Sequence, residues 1–155
     1  MKTASFPSEG TLRRLVAFFA ALGLGVAAYI AIAEAGGDAP ACLAGGSGCE
    51  TVAESSYSHV AGINIAVFGI VAYVLLLASA FFASDVARLG GFAVALGGFG
   101  YSVFLTYLEI FKIEAICQWC VASAVLMTIL FLLEAARLIG YAGTDEGVRA
   151  RERRA

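Results

Sequence analysis

The chain has 155 residues, of which 61% are hydrophobic and only 14% charged, with a net charge of −2. Soluble domains are roughly a quarter charged and about half apolar, so this balance excludes a water-soluble globule and a disordered chain, and the lack of a basic surface excludes a nucleic-acid binder. What remains is an integral membrane protein, in line with a mean hydropathy of +0.87.

Four apolar stretches follow in chain order: Leu15–Ala33, Val60–Ala83, Leu89–Leu108 and Ala115–Leu133. Each approaches the roughly 20 residues that cross a bilayer, and each is expected to be helical because lipid offers no partner to a free backbone N–H. Helices are predicted over about 15–35, 60–83, 89–110 and 115–137. The fold class is an all-α membrane protein, a four-transmembrane-helix bundle filling residues 1–142. Gly23, Gly25, Gly91, Gly97, Gly98 and Gly100 interrupt the apolar runs and suit close helix packing in lipid. The Ala33-Glu34-Ala35 triplet resembles a signal-peptidase site, but the preceding apolar run is longer than such leaders carry. The first stretch is therefore expected to be a retained helix.

Lys and Arg in short loops mark the cytoplasmic side. Lys2, Arg13 and Arg14 precede the first stretch, Arg88 separates the second and third, and Arg137, Arg149, Arg151, Arg153 and Arg154 follow the fourth. Only Lys112 falls on the other side. Both termini are thus expected in the cytoplasm, with the loop 36–59 and the short turn 109–114 facing outward. The tail 143–155 reads as a disordered, basic orientation signal. Glu109, Lys112 and Glu114 are expected to be interfacial anchors, a proton relay through the two acids being the sharper alternative.

Cys42 and Cys49 lie in the first outward loop, and Cys117 and Cys120 head the fourth stretch. All four are placed on the extracytoplasmic, oxidising side of a bacterial inner membrane, where disulfides persist. Cys117-Gln-Trp-Cys120 puts two thiols on one face of a helix start, where free N–H groups and the dipole favour a thiolate. A four-residue loop constrains the unfolded chain little, so a purely structural bridge there would stabilise little. Cys42 and Cys49 are separated by a glycine-rich link that suits movement better than stapling. Two structural disulfides are one alternative. A four-cysteine metal site is another, disfavoured because zinc knuckles use tighter spacing in both halves, and no metal is expected. An electron relay between two dithiols explains the pattern best. Such a relay needs a lipid-soluble acceptor, which a quinone supplies; no haem, flavin or dinucleotide signature is present. His59 is expected to be a surface residue.

The ordered combination of two loop cysteines, Cys49-Glu-Thr-Val-Ala-Glu-Ser55, Gly62-Ile-Asn64 with Phe68-Gly69 and Tyr73, and a C-x-x-C heading the fourth stretch resembles the vitamin K epoxide reductase family, bacterial branch, over residues 12–135. The resemblance implies a quinone-dependent membrane thiol oxidoreductase, a vitamin K epoxide reductase-like quinone reductase and protein-dithiol oxidase. It would re-oxidise a periplasmic thioredoxin-fold, DsbA-like protein acting in trans. Electrons would pass from the Cys42/Cys49 pair to Cys117 and Cys120 and on to ubiquinone, menaquinone or a vitamin K-type naphthoquinone. It further implies that Cys120 is proximal to the quinone, that Cys117 is attacked by a loop cysteine, and that Ser55 positions the loop. Residues 50–58 are expected to form a short amphipathic helix in the extracytoplasmic loop, over the bundle mouth. Asn64, where many bacterial relatives carry proline, and Phe68 are candidate quinone contacts, Asn64 alternatively serving as a helix cap. Vertebrate members carry a tyrosine where Ala124 stands here, so epoxide reduction does not follow from the likeness. A DsbB-like oxidase places its C-x-x-C in the first outward loop, the reverse of the order here. A non-enzymatic scaffold or transporter subunit with a stapled loop is the remaining rival.

Overall fold

The structure, a computed structural model, describes residues 7–43, 45–143, 149, 152 and 153. The expectations for Lys2, for Arg151 and Arg154, and for disorder through most of the tail lie outside the described residues. In chain order come α1 (Glu9–Ala35), α2 (Gly48–Ala53), β1 (His59–Val60), β2 (Ile63–Asn64), α3 (Ile65–Phe81), α4 (Asp85–Leu108), a π-helical turn (Glu109–Ile113) and α5 (Gln118–Ala142). Each long helix packs on two antiparallel neighbours: α1 on α3 and α5, α4 on α3 and α5. Helices α1, α4 with its π-turn, and α5 are long and apolar enough to cross a membrane, and α3 is a shorter apolar helix.

Helix starts follow side-chain capping. Ser8 accepts from the Thr11 N–H and Ser84 from the Ala87 N–H, so α1 and α4 begin before the apolar runs do. The expected second helix changes most. Residues 59–64 form a two-stranded hairpin, His59 paired with Asn64 and Val60 with Ile63, turning on Ala61 at φ 53° and Gly62 at φ 80°. Both central residues of this turn are left-handed, as a tight hairpin of this hand requires. Asn64 then caps α3 by accepting from the Ala66 N–H. The fold is therefore not purely helical, and α3 has 17 residues rather than the 24 of the predicted range.

Every buried α1 residue falls on one stripe, Leu12, Val16, Ala20, Gly23 and Ala27, at the three-and-four spacing of a helix face. This stripe meets Tyr73, Leu76 and Ala80 of α3 and Met127 and Leu130 of α5 in a single core. A Cβ at Gly23 would stand 2.1 Å from the Tyr73 ring, so glycine is what lets Tyr73 enter the core. There its hydroxyl donates to the Ser123 carbonyl at 2.9 Å. The outer faces are as apolar as the core: Phe18, Leu22, Ile32, Val71, Val103 and Leu132 are all exposed. A surface of this kind suits lipid rather than water.

The charges collect at the end that carries the helix termini nearest residues 9, 81, 85 and 142. Arg13 donates to the Ala80 and Phe81 carbonyls at 2.7 and 2.8 Å, satisfying the open end of α3. Arg137, counted from sequence among the basic residues that mark the cytoplasmic side, is fully buried. It holds Glu134 at 2.9 Å and Glu9 at 3.4 Å, and Ser79 donates to Glu134 at 2.9 Å. Removing one partner of a buried pair costs about 3–5 kcal/mol, whereas replacing both by apolar groups is often neutral. Arg137→Met is therefore expected to lower the thermal unfolding midpoint in detergent sharply, and Glu134→Leu/Arg137→Met to recover most of it. Equal losses in both would contradict the pairing.

Candidate functional site

All four cysteines stand at the opposite end from this ion cluster. Cys42 and Cys49 form a disulfide with Cα atoms 5.8 Å apart, closed by a turn through Gly45 and Gly46 at φ 76° and 91°. The Cys49 N–H donates to Cys42 Sγ at 3.2 Å. Cys42 is half-buried, while Cys49, in the first turn of α2, is only 1% exposed. The preceding residue explains the burial. A Cβ at Gly48 would lie 2.3 Å from the Ile116 carbonyl oxygen, so only glycine lets α2 press against the backbone that leads into Cys117.

A second clasp holds the other side of the loop. Trp119, inside the C-x-x-C, donates its indole N–H to the Ala41 carbonyl at 2.8 Å. The Ala41 N–H donates to the Tyr29 hydroxyl at 3.1 Å, and the two rings lie 4.8 Å apart. Both backbone groups of the residue before Cys42 are thus fixed by one aromatic pair.

Cys117 and Cys120 are free thiols. Cys117 is the N-cap of α5 and Cys120 lies one turn in. The Cys117 thiol is pushed down to about 7, chiefly by the hydrogen bond from the Cys120 thiol and also by the Cys120 and Trp119 N–H groups, against the opposing effects of burial and Glu109. A helix start thus favours a thiolate at Cys117, as a helix N-terminus does. Glu109 sits beneath the pair. Its Oε2 accepts from the Cys117 N–H at 3.1 Å, and its carboxyl is also hydrogen-bonded to the Cys120 side chain. The π-turn ends at Glu114, which adopts a left-handed φ of 55°, and the Ala115 N–H closes back on the Glu109 carbonyl at 3.1 Å. Glu109 is 5% exposed, so it is not an interfacial anchor. Lys112 and Glu114 are exposed.

A cavity of about 290 Å³ opens beneath the cysteines, bordered by Cys49, Cys117, Cys120 and Glu109 above and by Ala27, Ala72 and Met127 below. Its size is near the lower range of small-molecule sites, and an apolar wall with few polar groups is the usual form of such sites. Tyr73, Ser123, Asn64 and Phe68 also line it. A flat, apolar ring with polar edges fits this lining. Phe68 is 45% exposed, so it stands where the cavity wall meets the outer surface. The Asn64 amide is occupied on both sides, its oxygen by the Ala66 N–H and its nitrogen by Glu34. Ser55 lies apart from the cavity lining: its hydroxyl donates to the Val52 carbonyl at 2.7 Å, and its own carbonyl accepts from Ser58. These serine bonds end α2 at Ala53, so the loop helix is shorter than the 50–58 expected and starts earlier, at Gly48. Ser58, not Ser55, is buried and borders the cavity. His59 is exposed. Among the described residues no group of His, Cys, Asp or Glu is arranged to hold a metal ion.

Sequence reasoning missed the Tyr29–Trp119 clasp and underrated Glu109. The available signal was weak: an aromatic between the two cysteines, and an acid eight residues before them.

The model for the vitamin K epoxide reductase family matches residues 14–135. This is most of the chain, which therefore belongs to that family. No curated protein matches the chain.

Trp119 is the chain's single tryptophan, so its fluorescence reports the clasp. Trp119→Ala is expected to free Ala41 and speed reduction of the Cys42–Cys49 disulfide by a small dithiol several-fold. Tyr29→Phe, which loses only the acceptor for Ala41, is expected to have a smaller effect in the same direction. Unchanged reduction rates in both would show that the clasp does not hold the loop.

Proposed function

We propose that this member of the vitamin K epoxide reductase family is a quinone-dependent protein-dithiol oxidase of a bacterial inner membrane. It has four spans, α3 serving as the shortest, with both termini in the cytoplasm and the cysteine end outside. Seventeen residues rise about 25 Å, within the range that spans a bilayer. The partner is a periplasmic thioredoxin-fold protein.

The observation that carries this function is the convergence of both sulfur couples on one cavity mouth, with Cys49 and Cys117 on backbone segments in direct contact. Cys42, the more exposed of its pair, receives the partner's thiolate. The partner leaves oxidised, and the loop pair becomes a dithiol. Cys49 then attacks Cys117 of a membrane-side disulfide, forming a Cys49–Cys117 bond and releasing Cys120 as a thiolate. Cys42 resolves that bond by attacking Cys49. The loop disulfide is restored, and two electrons now reside on Cys117 and Cys120. This is the redox state of the structure, with Cys42–Cys49 bridged and the membrane pair reduced.

A low-pKa Cys117 suits its role as the leaving sulfur, since a more acidic thiol leaves faster. Alanines, Met127 and Phe68 would flank a quinone ring, Cys120 would stand nearest it, and Asn64 would cap α3 at the rim. A bound quinone supplies the acceptor for two electrons and two protons. Ser55 supports the loop through its bonds to Val52 and Ser58 rather than through the chemistry.

Purified protein with a reduced thioredoxin-fold partner is expected to reduce a short-chain quinone. Cys120→Ser is expected to abolish quinone reduction and to accumulate a mixed disulfide. Quinone reduction persisting in Cys120→Ser would instead favour a scaffold with a stapled loop.

A further inference from the structure

Glu109 poses a physical problem that the sulfur relay leaves open. It is buried, and among the described residues no lysine or arginine forms a salt bridge with it. A buried carboxylate without a cation is costly unless hydrogen bonds hold it. Among the described residues, the donors on it are the Cys117 N–H at 3.1 Å and the Cys120 thiol. Its own turn is π-helical, a rare backbone that recurs at functional sites, and this turn directs Glu109 inward while Lys112 stays exposed. The other acidic or phenolic groups on the cavity, among the described residues, are Glu34 of α1, Tyr73 of α3 and Tyr101 of α4. Glu34 is bonded to Asn64 and Tyr73 to Ser123.

We infer that Glu109 is the catalytic proton acceptor for the Cys120 thiol when the membrane pair is oxidised. The inference rests on the quinone relay proposed above. In the reduced pair the single Cys120 S–H lies between the Cys117 sulfur and the Glu109 carboxylate, and no electron pair can leave Cys120 until that proton goes. Glu109 takes it: the Cys120 S–H bond breaks and a Glu109 O–H bond forms. Cys117, already able to exist as a thiolate, closes the S–S bond on Cys120, and two electrons pass to the quinone. Two protons balance the step, one from Cys120 held on Glu109 and one that Cys117 has already released. Glu109 borders the same cavity, so the proton it holds is placed to follow the electrons.

The test uses the full chain as Cys42→Ser/Cys49→Ser, so that only the membrane pair titrates, followed by ultraviolet thiolate absorbance against pH without quinone. Glu109→Gln keeps an acceptor for the Cys117 N–H but removes the charge. Loss of that like charge favours a thiolate. The first thiolate midpoint is therefore expected to fall below the value of about 7 in the parent. Transfer from the pre-reduced pair to a short-chain quinone is expected to slow by about 10²-fold, the usual worth of a positioned acid–base. Glu109→Asp, which keeps the charge, is expected to hold the midpoint near that of the parent and lose less rate. Unchanged Trp119 fluorescence establishes that each variant is folded. An unmoved midpoint in Glu109→Gln overturns the inference, because Glu109 then carries no charge to accept a proton. A lowered midpoint with unslowed transfer overturns it as well. A parent chain that passes no electrons to quinone, while the midpoint still falls, overturns the relay itself and the transfer step assigned here with it.

Discussion

One backbone contact sets the relation between the two sulfur couples: Gly48 against the carbonyl of Ile116. Neither residue has any chemistry of its own. Yet the residues that follow them are Cys49 and Cys117, so the contact brings a loop sulfur and a membrane sulfur to one place. Any side chain at position 48 would push α2 outward. The Tyr29–Trp119 clasp acts on the other flank, at Ala41, and leaves Cys42 the more accessible of its pair. The loop is thus held at Ala41 and at Gly48, on either side of the turn through Gly45 and Gly46.

The bilayer accounts for how the rest is arranged. Buried charge is expensive away from water, and the chain concentrates it at one end, where Arg88 and Arg137 pair with Glu9, Asp85 and Glu134 and Arg13 holds the open end of α3. The other end holds sulfur, the buried acid Glu109 and an apolar cavity. Between them runs a core of small and aliphatic residues in which Tyr73 is admitted only by Gly23. The ion cluster fixes the bundle, and the cysteine end keeps the reactive groups.

Much of this was legible in the sequence. Apolar runs and caps mark the helices because lipid leaves the backbone no other solution, and cysteine spacing marks the end where Cys42, Cys49, Cys117 and Cys120 gather. The less legible parts depend on contacts between distant residues. The hairpin at 59–64 hides inside an apolar run, since Val60 and Ile63 look like helix residues until Gly62 and Asn64 are weighed as a turn and a cap. Arg137 counts as a tail charge in a tally of loops, but its partners Glu9 and Ser79 come from α1 and α3. Glu109 looks like an anchor at a membrane surface. A π-turn, which has no sequence signature of its own, carries it inward. Ser55 carried the motif, but the burial falls on Ser58, because the two serines bond the carbonyls of Val52 and Ser55, three residues apart, and wind the loop one turn further.

The most direct test of the relay is to leave only Cys49 and Cys117, in a Cys42→Ser/Cys120→Ser chain kept in membranes, and to map disulfides after mild oxidation. An intramolecular Cys49–Cys117 bond in most of the protein is expected if the two couples exchange electrons within one molecule. Two cysteines that stay free, or that link only between separate molecules, would contradict it.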